Sequence, residues 1–161
     1  MAVTYAFREM TAVDLALIKR WLAMPHVRDW WGDPSEQYAL VSGDIDEPAM
    51  DQFVVSANGN DFGYIQCYAL TAWNEGFGAH PEGTRGIDLF IGEPDMIGRG
   101  HGSALIRRFV ENRMGEGAPR IVTDPDPNNA RAVRAYEKAG FEKVRMIDTP
   151  DGPALLMVCD A

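Results

Sequence analysis

Residues 98–110, Gly98-Arg99-Gly100-His101-Gly102-Ser103-Ala104-Leu105-Ile106-Arg107-Arg108-Phe109-Val110, decide how the chain is built. Leu105, Ile106, Phe109 and Val110 recur at helical spacing while Arg107, Arg108, Glu111 and Asn112 take the other face, which predicts an amphipathic helix ending near Gly115 and Gly117. The glycine run opens that helix just after a predicted strand, Thr84 to Ile91, so bare backbone N–H groups and the positive end of the helix dipole meet there. Three glycines at alternate positions let the main chain approach an anion closely, and Arg99 and His101 add charge at the rim. Phosphate suits such a turn; a flexible linker with a solvated arginine is the alternative. The spacing is neither G-x-G-x-x-G nor a Walker loop, since no Gly-Lys-Ser/Thr follows, which disfavours a dinucleotide or a nucleoside triphosphate.

Outward from this helix the elements alternate. Upstream, Thr4 to Arg8 alternates weakly like a strand, and Thr11-Ala12-Val13-Asp14 has capping-box character before Leu15, Leu17, Ile18, Trp21 and Leu22. Pro25 is expected to end that helix. Short helices are expected at His26 to Trp31 and Glu36 to Leu40, then strands at Gln52 to Ala57 and Phe62 to Tyr68 joined by Asn58-Gly59-Asn60-Asp61, whose residue types tolerate positive φ. The stretch 71–83 carries no element signal and reads as a functional loop. Downstream come a strand at Arg120 to Thr123, a helix from Asn129 to Ala139 stopped by Gly140, a strand from Phe141 to Met146, and a turn at Asp151-Gly152 into a last strand, Ala154 to Val158. That order predicts one mixed α/β domain over residues 1–161.

Composition narrows the function. At 161 residues with 46% hydrophobic side chains, a chain of this size buries roughly 68–70% of its unfolded surface and needs no metal or disulfide staple. Cys67 and Cys159 cannot form a disulfide framework and have no histidine at zinc-ligand spacing, so no metal is expected. Apolar runs such as Ala154 to Val158 fall far short of a bilayer span, and Met1 to Met10 lacks a signal pattern, so the expectation is a soluble cytoplasmic protein without a membrane partner. The net charge of −9 argues against nucleic acid. Residues 1–91 hold 5 basic and 13 acidic side chains, whereas residues 99–145 hold 10 basic and 6 acidic ones. Two kinds of partner are implied, one cationic and one anionic.

Gly98 to Ser103 with Ala104-Leu105 resembles the pyrophosphate-binding motif of the GCN5-related N-acetyltransferase (GNAT) superfamily, although Ile97 stands where that motif commonly has Gln or Arg. The run Asn128-Asn129-Ala130-Arg131-Ala132-Val133-Arg134-Ala135-Tyr136-Glu137-Lys138-Ala139-Gly140-Phe141 resembles its next helix and strand. A closer similarity, from about Trp21 to Val158, is to aminoglycoside 6′-N-acetyltransferases. It is carried by Trp21-Leu22, Pro25-His26-Val27, Trp30-Trp31-Gly32, residues 63–68, Arg85-Gly86-Ile87-Asp88, Thr123-Asp124-Pro125, residues 149–154 and Met157-Val158. The loop 71–83 departs from that class, which is acidic there, in holding only Glu75 and Glu82. His26 to Trp31 also resembles a segment of siderophore-associated hydroxylysine acyltransferases.

The resemblance implies a GNAT fold, a mixed central sheet of about six to seven strands with a splayed middle and flanking helices. It implies acetyl-CoA as donor and direct transfer, in a ternary complex, to an amine of a small polycation, by a monomer or homodimer. It places the cofactor against the backbone of Phe90 and Ile91, the turn residues Arg99, Gly100, His101, Gly102 and Ser103, and Asn129. Tyr136 becomes the candidate acid for the leaving thiolate, and Asp88 the candidate group to orient or deprotonate the amine or merely to pair with its charge. Asp124 and Asp151 become acceptor carboxylates, against the plainer reading of a cap and a turn residue. Gln66 and Tyr68 share a strand face and either complete the pocket or pack. Trp30 and Trp31 are adjacent, so one should pack while the other lines the cleft. Asn129 suits an N-cap equally well, and Arg131, Arg134 and Lys138 suit either nucleotide phosphates or a solvated face. Acetylation of another amine and a noncatalytic acyl-CoA-binding domain are the competing functions.

Overall fold

In the computed structural model, which describes residues 2–72 and 76–161, the chain forms β1 (Tyr5–Glu9), α1 (Leu15–Leu22), α2 (Pro25–Trp31), α3 (Pro34–Gly43), β2 (Met50–Ala57), β3 (Asn60–Ala69) and β4 (Arg85–Ile91). It continues through α4 (His101–Gly115), β5 (Arg120–Thr123), α5 (Ala130–Lys138), β6 (Glu142–Thr149) and β7 (Gly152–Asp160). The seven strands are ordered β1-β2-β3-β4-β5-β7-β6, the mixed sheet with flanking helices expected of a GNAT fold. No helix among the described residues is long and apolar enough to cross a membrane.

Three local expectations need correction. Pro25 does not end α1, which stops at Leu22, but stands at the first position of α2, where a missing N–H is no loss and its fixed φ favours the helix. The β6 strand runs to Thr149, beyond the expected Met146, because only Ile147 of its eight residues is buried and an exposed strand shows no apolar alternation. The hairpin between β2 and β3 is tighter than expected: Asn58 (φ 49°) and Gly59 (φ 85°) make the whole turn, the geometry whose twist matches the flanking strands.

The contacts divide the chain into two compact units, residues 1–67 with 89–97, and residues 68–88 with 98–161. The first is built on Trp21, Ile18, Leu22, Val54 and Tyr64, all essentially inaccessible to solvent. Trp21 also fixes the exit of β4, since its Nε1 donates to Glu93 at 2.6 Å and a Cβ on Gly92 would lie 2.2 Å from its ring. Gly92→Ala should therefore force a fully buried indole aside and destabilise the protein by about 1–3 kcal/mol. Gly115→Ala, with nothing within 4 Å of the new methyl group, should leave the urea midpoint unchanged or raise it. Equal midpoints for the two variants would contradict this packing.

In the second unit α4 packs on α5, and β7 pairs antiparallel with both β5 and β6. The parallel ladder of β4 with β5 covers Arg85↔Ile121 and Gly86↔Val122, although β4 itself continues to Ile91. At the next position the Thr123 hydroxyl donates to the Ile87 carbonyl at 3.2 Å.

Candidate active site

The glycine turn is shaped by conformation rather than by crowding. Gly98 (φ +73°) and Gly100 (φ +82°) occupy the left-handed region, and a Cβ built on either meets nothing within 4 Å. The turn leads into the 15-residue α4, with Arg99 exposed, His101 half-buried and Ser103 donating to the Gly100 carbonyl at 3.4 Å. Gly102 lies inside the helix. An anionic diphosphate fits this cradle, because its charge meets the helix N-terminus without a side chain in the way.

Asn129 is the N-cap of α5, its Oδ1 accepting from Ala132 N at 3.2 Å. The plainer expectation for its oxygen holds, and the Nδ2 group is what remains for a ligand. From α5, Val133 and Tyr136 turn inward while Arg131, Arg134 and Lys138 lie at the surface. Tyr136 packs edge-on against Phe141 at 5.3 Å. Burial pushes its phenol above the usual range; a hydrogen bond with Thr123 opposes that, and the charges of Asp88 and Asp124 add to it. The proton consequently stays on Tyr136 throughout the physiological range.

Asp124, directly after β5, lies within electrostatic reach of Asp88 in β4 and of Asp151 in the β6–β7 turn. Burial first, then the charges of Asp88 and Asp151, push the Asp124 carboxyl up to about 8. The peptide after Asp124 is tied down by Leu155 N donating to the Pro125 carbonyl at 2.9 Å, and Asp151 N donates to Thr149 Oγ1 at 3.2 Å. Tyr68 is almost wholly buried, and a Cβ on Gly86 would lie 2.3 Å from its ring, so the ring lies flush on the β4 main chain. Thr123, 1% exposed, was overlooked as a site residue; its only signal was a hydroxyl one position before Asp124.

The remaining predicted residues belong to the other unit. Trp31 sits edge-on to Phe90 at 5.1 Å and to Tyr64 at 6.2 Å, whereas Trp30 is 46% exposed, the division expected of neighbouring helical tryptophans. The Phe90 ring is stacked on Tyr64 at 5.4 Å within the core. The side chain of Phe90 is thus committed to the core, and the expectation for this residue concerned its main chain. Gln66 Oε1 accepts from the Tyr64 hydroxyl at 2.7 Å, and Gln52 Nε2 donates to that hydroxyl at 3.0 Å and to the Val41 carbonyl. Tyr64, two residues before Gln66 on the same strand face, was missed although the spacing marks it. Glu82 is exposed, and Glu75 lies outside the described residues. Among the described residues no cluster of His, Cys, Asp or Glu could hold a metal ion, and neither Cys67 nor Cys159 is in a disulfide.

The strand order and the glycine turn at the head of α4 together define an acetyltransferase domain. Residues 11–149 match the family model described as acetyltransferase (GNAT) domain, and the chain belongs to that family. It is 36% identical to the aminoglycoside N(6′)-acetyltransferase type 1 of Klebsiella pneumoniae over 163 residues, covering 94% of this chain and 80% of that protein. Among solved structures, AAC(6′)-Ib in complex with Parmomycin and acetyl-CoA is 35% identical and superposes with a TM-score of 0.85, over 99% of this chain and 94% of that one. AAC(6′)-Ib with coenzyme A and kanamycin is 36% identical, with a TM-score of 0.82 over 98% and 95%.

Proposed function

We propose that the protein moves the acetyl group of acetyl-CoA to the 6′-amine of an aminoglycoside. The observation that carries the reading is the buried carboxyl of Asp124, which burial first and the charges of Asp88 and Asp151 after it push up to about 8. A ligand with several ammonium groups relieves that repulsion, and an aminoglycoside is such a ligand. The similarity to aminoglycoside 6′-acetyltransferases over nearly the whole chain supports the same substrate class.

When bound, acetyl-CoA supplies an activated thioester. The amides of the turn at Gly98 and Gly100 and the start of α4 would hold its diphosphate, and Asn129 Nδ2 would steady its arm; main-chain N–H groups among Leu89 to Ile91 would be the donors for the negative charge that gathers on the carbonyl oxygen in acyl transfer. An ammonium has no lone pair to attack with, so it must first give up a proton. Asp88 orients the amine and draws that proton away, directly or through water. Asp124 and Asp151 hold the other ammonium groups. Tyr136, protonated, stands ready to hydrogen-bond or protonate the departing sulfur.

The test is thiol release on incubation with acetyl-CoA and a panel of amines, followed by mass spectrometry and NMR of the product formed from kanamycin. Acetylation at the 6′ nitrogen is the expected result. Attachment at another nitrogen rejects the regiochemistry, and turnover only with polyamines or lysine peptides rejects the substrate class.

A further inference from the structure

We infer that His26 is a positioning residue for acyl transfer, acting through one hydrogen bond to the main chain of β4; the inference rests on the acetyl-transfer reading above. His26 Nε2 lies 2.9 Å from the carbonyl oxygen of Ile91. A carbonyl only accepts, so this ring nitrogen carries the proton and donates.

The direction of that carbonyl gives the contact its consequence. In a strand the C=O and N–H of one residue point to the same side, and those of the next residue to the other. The Phe90 carbonyl is directed at Gly63 of β3, where a Cβ would come within 2.8 Å of it. Ile91 and Leu89 therefore present their polar groups on the side away from β3, and His26 meets the Ile91 carbonyl there. The same peptide unit is held at its other end, since Gly92 N donates to the Phe62 carbonyl at 2.7 Å and Glu93 N to the same oxygen at 3.2 Å. Beyond it Glu93 accepts from Trp21 Nε1 and from Arg20 at 2.8 Å. The Ile91–Gly92 peptide plane is thus fixed at both its oxygen and its nitrogen. Losing the His26 donor frees the oxygen end, and the last residues of β4 can then twist about the strand axis. Their N–H groups would be re-aimed by a fraction of an ångström to an ångström, a displacement that costs up to about 100-fold in rate where donors must meet a developing charge.

Glu93, at the exit of β4, lies within electrostatic reach of His26 and is itself paired with Arg20 of α1. An imidazole carries a proton on Nε2 in the protonated state as well as in this neutral tautomer, so acid leaves the hydrogen bond intact. A base at this position would instead lose its function on protonation. Glutamine, whose amide N–H reaches about as far as Nε2, should replace His26 as donor and could not replace it as a base.

The experiment compares His26→Ala and His26→Gln with wild type. The expected result is a kcat lowered about 10–100-fold in His26→Ala, with KM for acetyl-CoA unchanged, and a kcat within about threefold of wild type in His26→Gln with the same acid limb of the pH profile. In the unliganded protein the Gly92 amide should exchange with solvent faster in His26→Ala than in His26→Gln, a readout that stands whether or not an amine is acetylated. Wild-type kcat in His26→Ala overturns the proposal, as does His26→Gln as impaired as His26→Ala or equal Gly92 exchange in the two variants. A wild-type protein that acetylates none of the amines, with the exchange difference present, overturns the acetyl-transfer reading instead.

Discussion

Asp124→Asn should make the unliganded protein more stable at pH 8 while removing most of its ability to use an aminoglycoside. The Asp124 carboxyl has an ordinary value of 3.8 and is pushed up to about 8, by burial first and by the charges of Asp88 and Asp151 after it. An acid raised on folding contributes stability that is fully present below about pH 4, where both folded and unfolded chains carry the proton. That contribution is lost as pH rises through 8, because the unfolded chain ionises freely while the folded one resists. At about 1.4 kcal/mol per pKa unit, and allowing for the partly exposed carboxyl, the loss is on the order of 2–4 kcal/mol. Asparagine keeps the shape and has no charge to lose. The melting temperatures of the two proteins should therefore coincide near pH 4 and separate towards pH 8, with the variant higher. If Asp124 pairs with a substrate ammonium as proposed, the change removes an interaction worth about 1.5–3 kcal/mol, and kcat/KM for kanamycin should fall by one to two orders of magnitude. Scanning calorimetry from pH 4 to pH 8 with parallel curves for the two proteins would refute the first half of the prediction. An unchanged kcat/KM would refute the second.

That opposition between stability and acceptor use was only half visible in the sequence. Asp88, Asp124 and Asp151 could be singled out by resemblance, but residues from a strand, a post-strand peptide and a distant turn meet only once the sheet has formed, and no local pattern records their mutual charge. The turn at Gly98 and Gly100 was legible because its requirement is local: two left-handed backbones before an amphipathic helix. The helices α4 and α5 were legible for the same reason, through periodic apolar faces. What escaped was long-range or directional. The Gln52–Tyr64–Gln66 relay needs β2 beside β3, the Thr123 hydroxyl matters because the β4–β5 ladder gives way at Ile87, and His26 gains meaning only from the direction of one carbonyl in β4. Pro25 was misread because proline is unfavourable inside a helix yet favourable at its first position, and the two cases differ by the backbone of Met24, which is extended.

Tyr136→Phe should lower kcat by about 10²–10³ without changing KM for acetyl-CoA, the range associated with losing a positioned proton donor. The substitution keeps the ring against Phe141 and removes only the hydroxyl that meets Thr123, so stability should change by no more than about 1 kcal/mol. Because burial holds the phenol above its usual range, Tyr136 stays protonated at every pH in which the enzyme is assayed, and no alkaline fall in kcat below about pH 10 should be traceable to it. A pH profile therefore cannot identify the proton it gives, but the leaving group can. If Tyr136 assists departure of the thiolate, a donor that leaves as a weaker base needs that assistance less. Acetyl-seleno-coenzyme A releases a selenolate, the conjugate base of a stronger acid than a thiol. The ratio of wild-type to Tyr136→Phe kcat should then shrink towards unity with the selenoester and stay large with the thioester. A ratio equal for both donors would place the hydroxyl in ground-state positioning of the site, through Thr123 and β5, rather than at the departing atom.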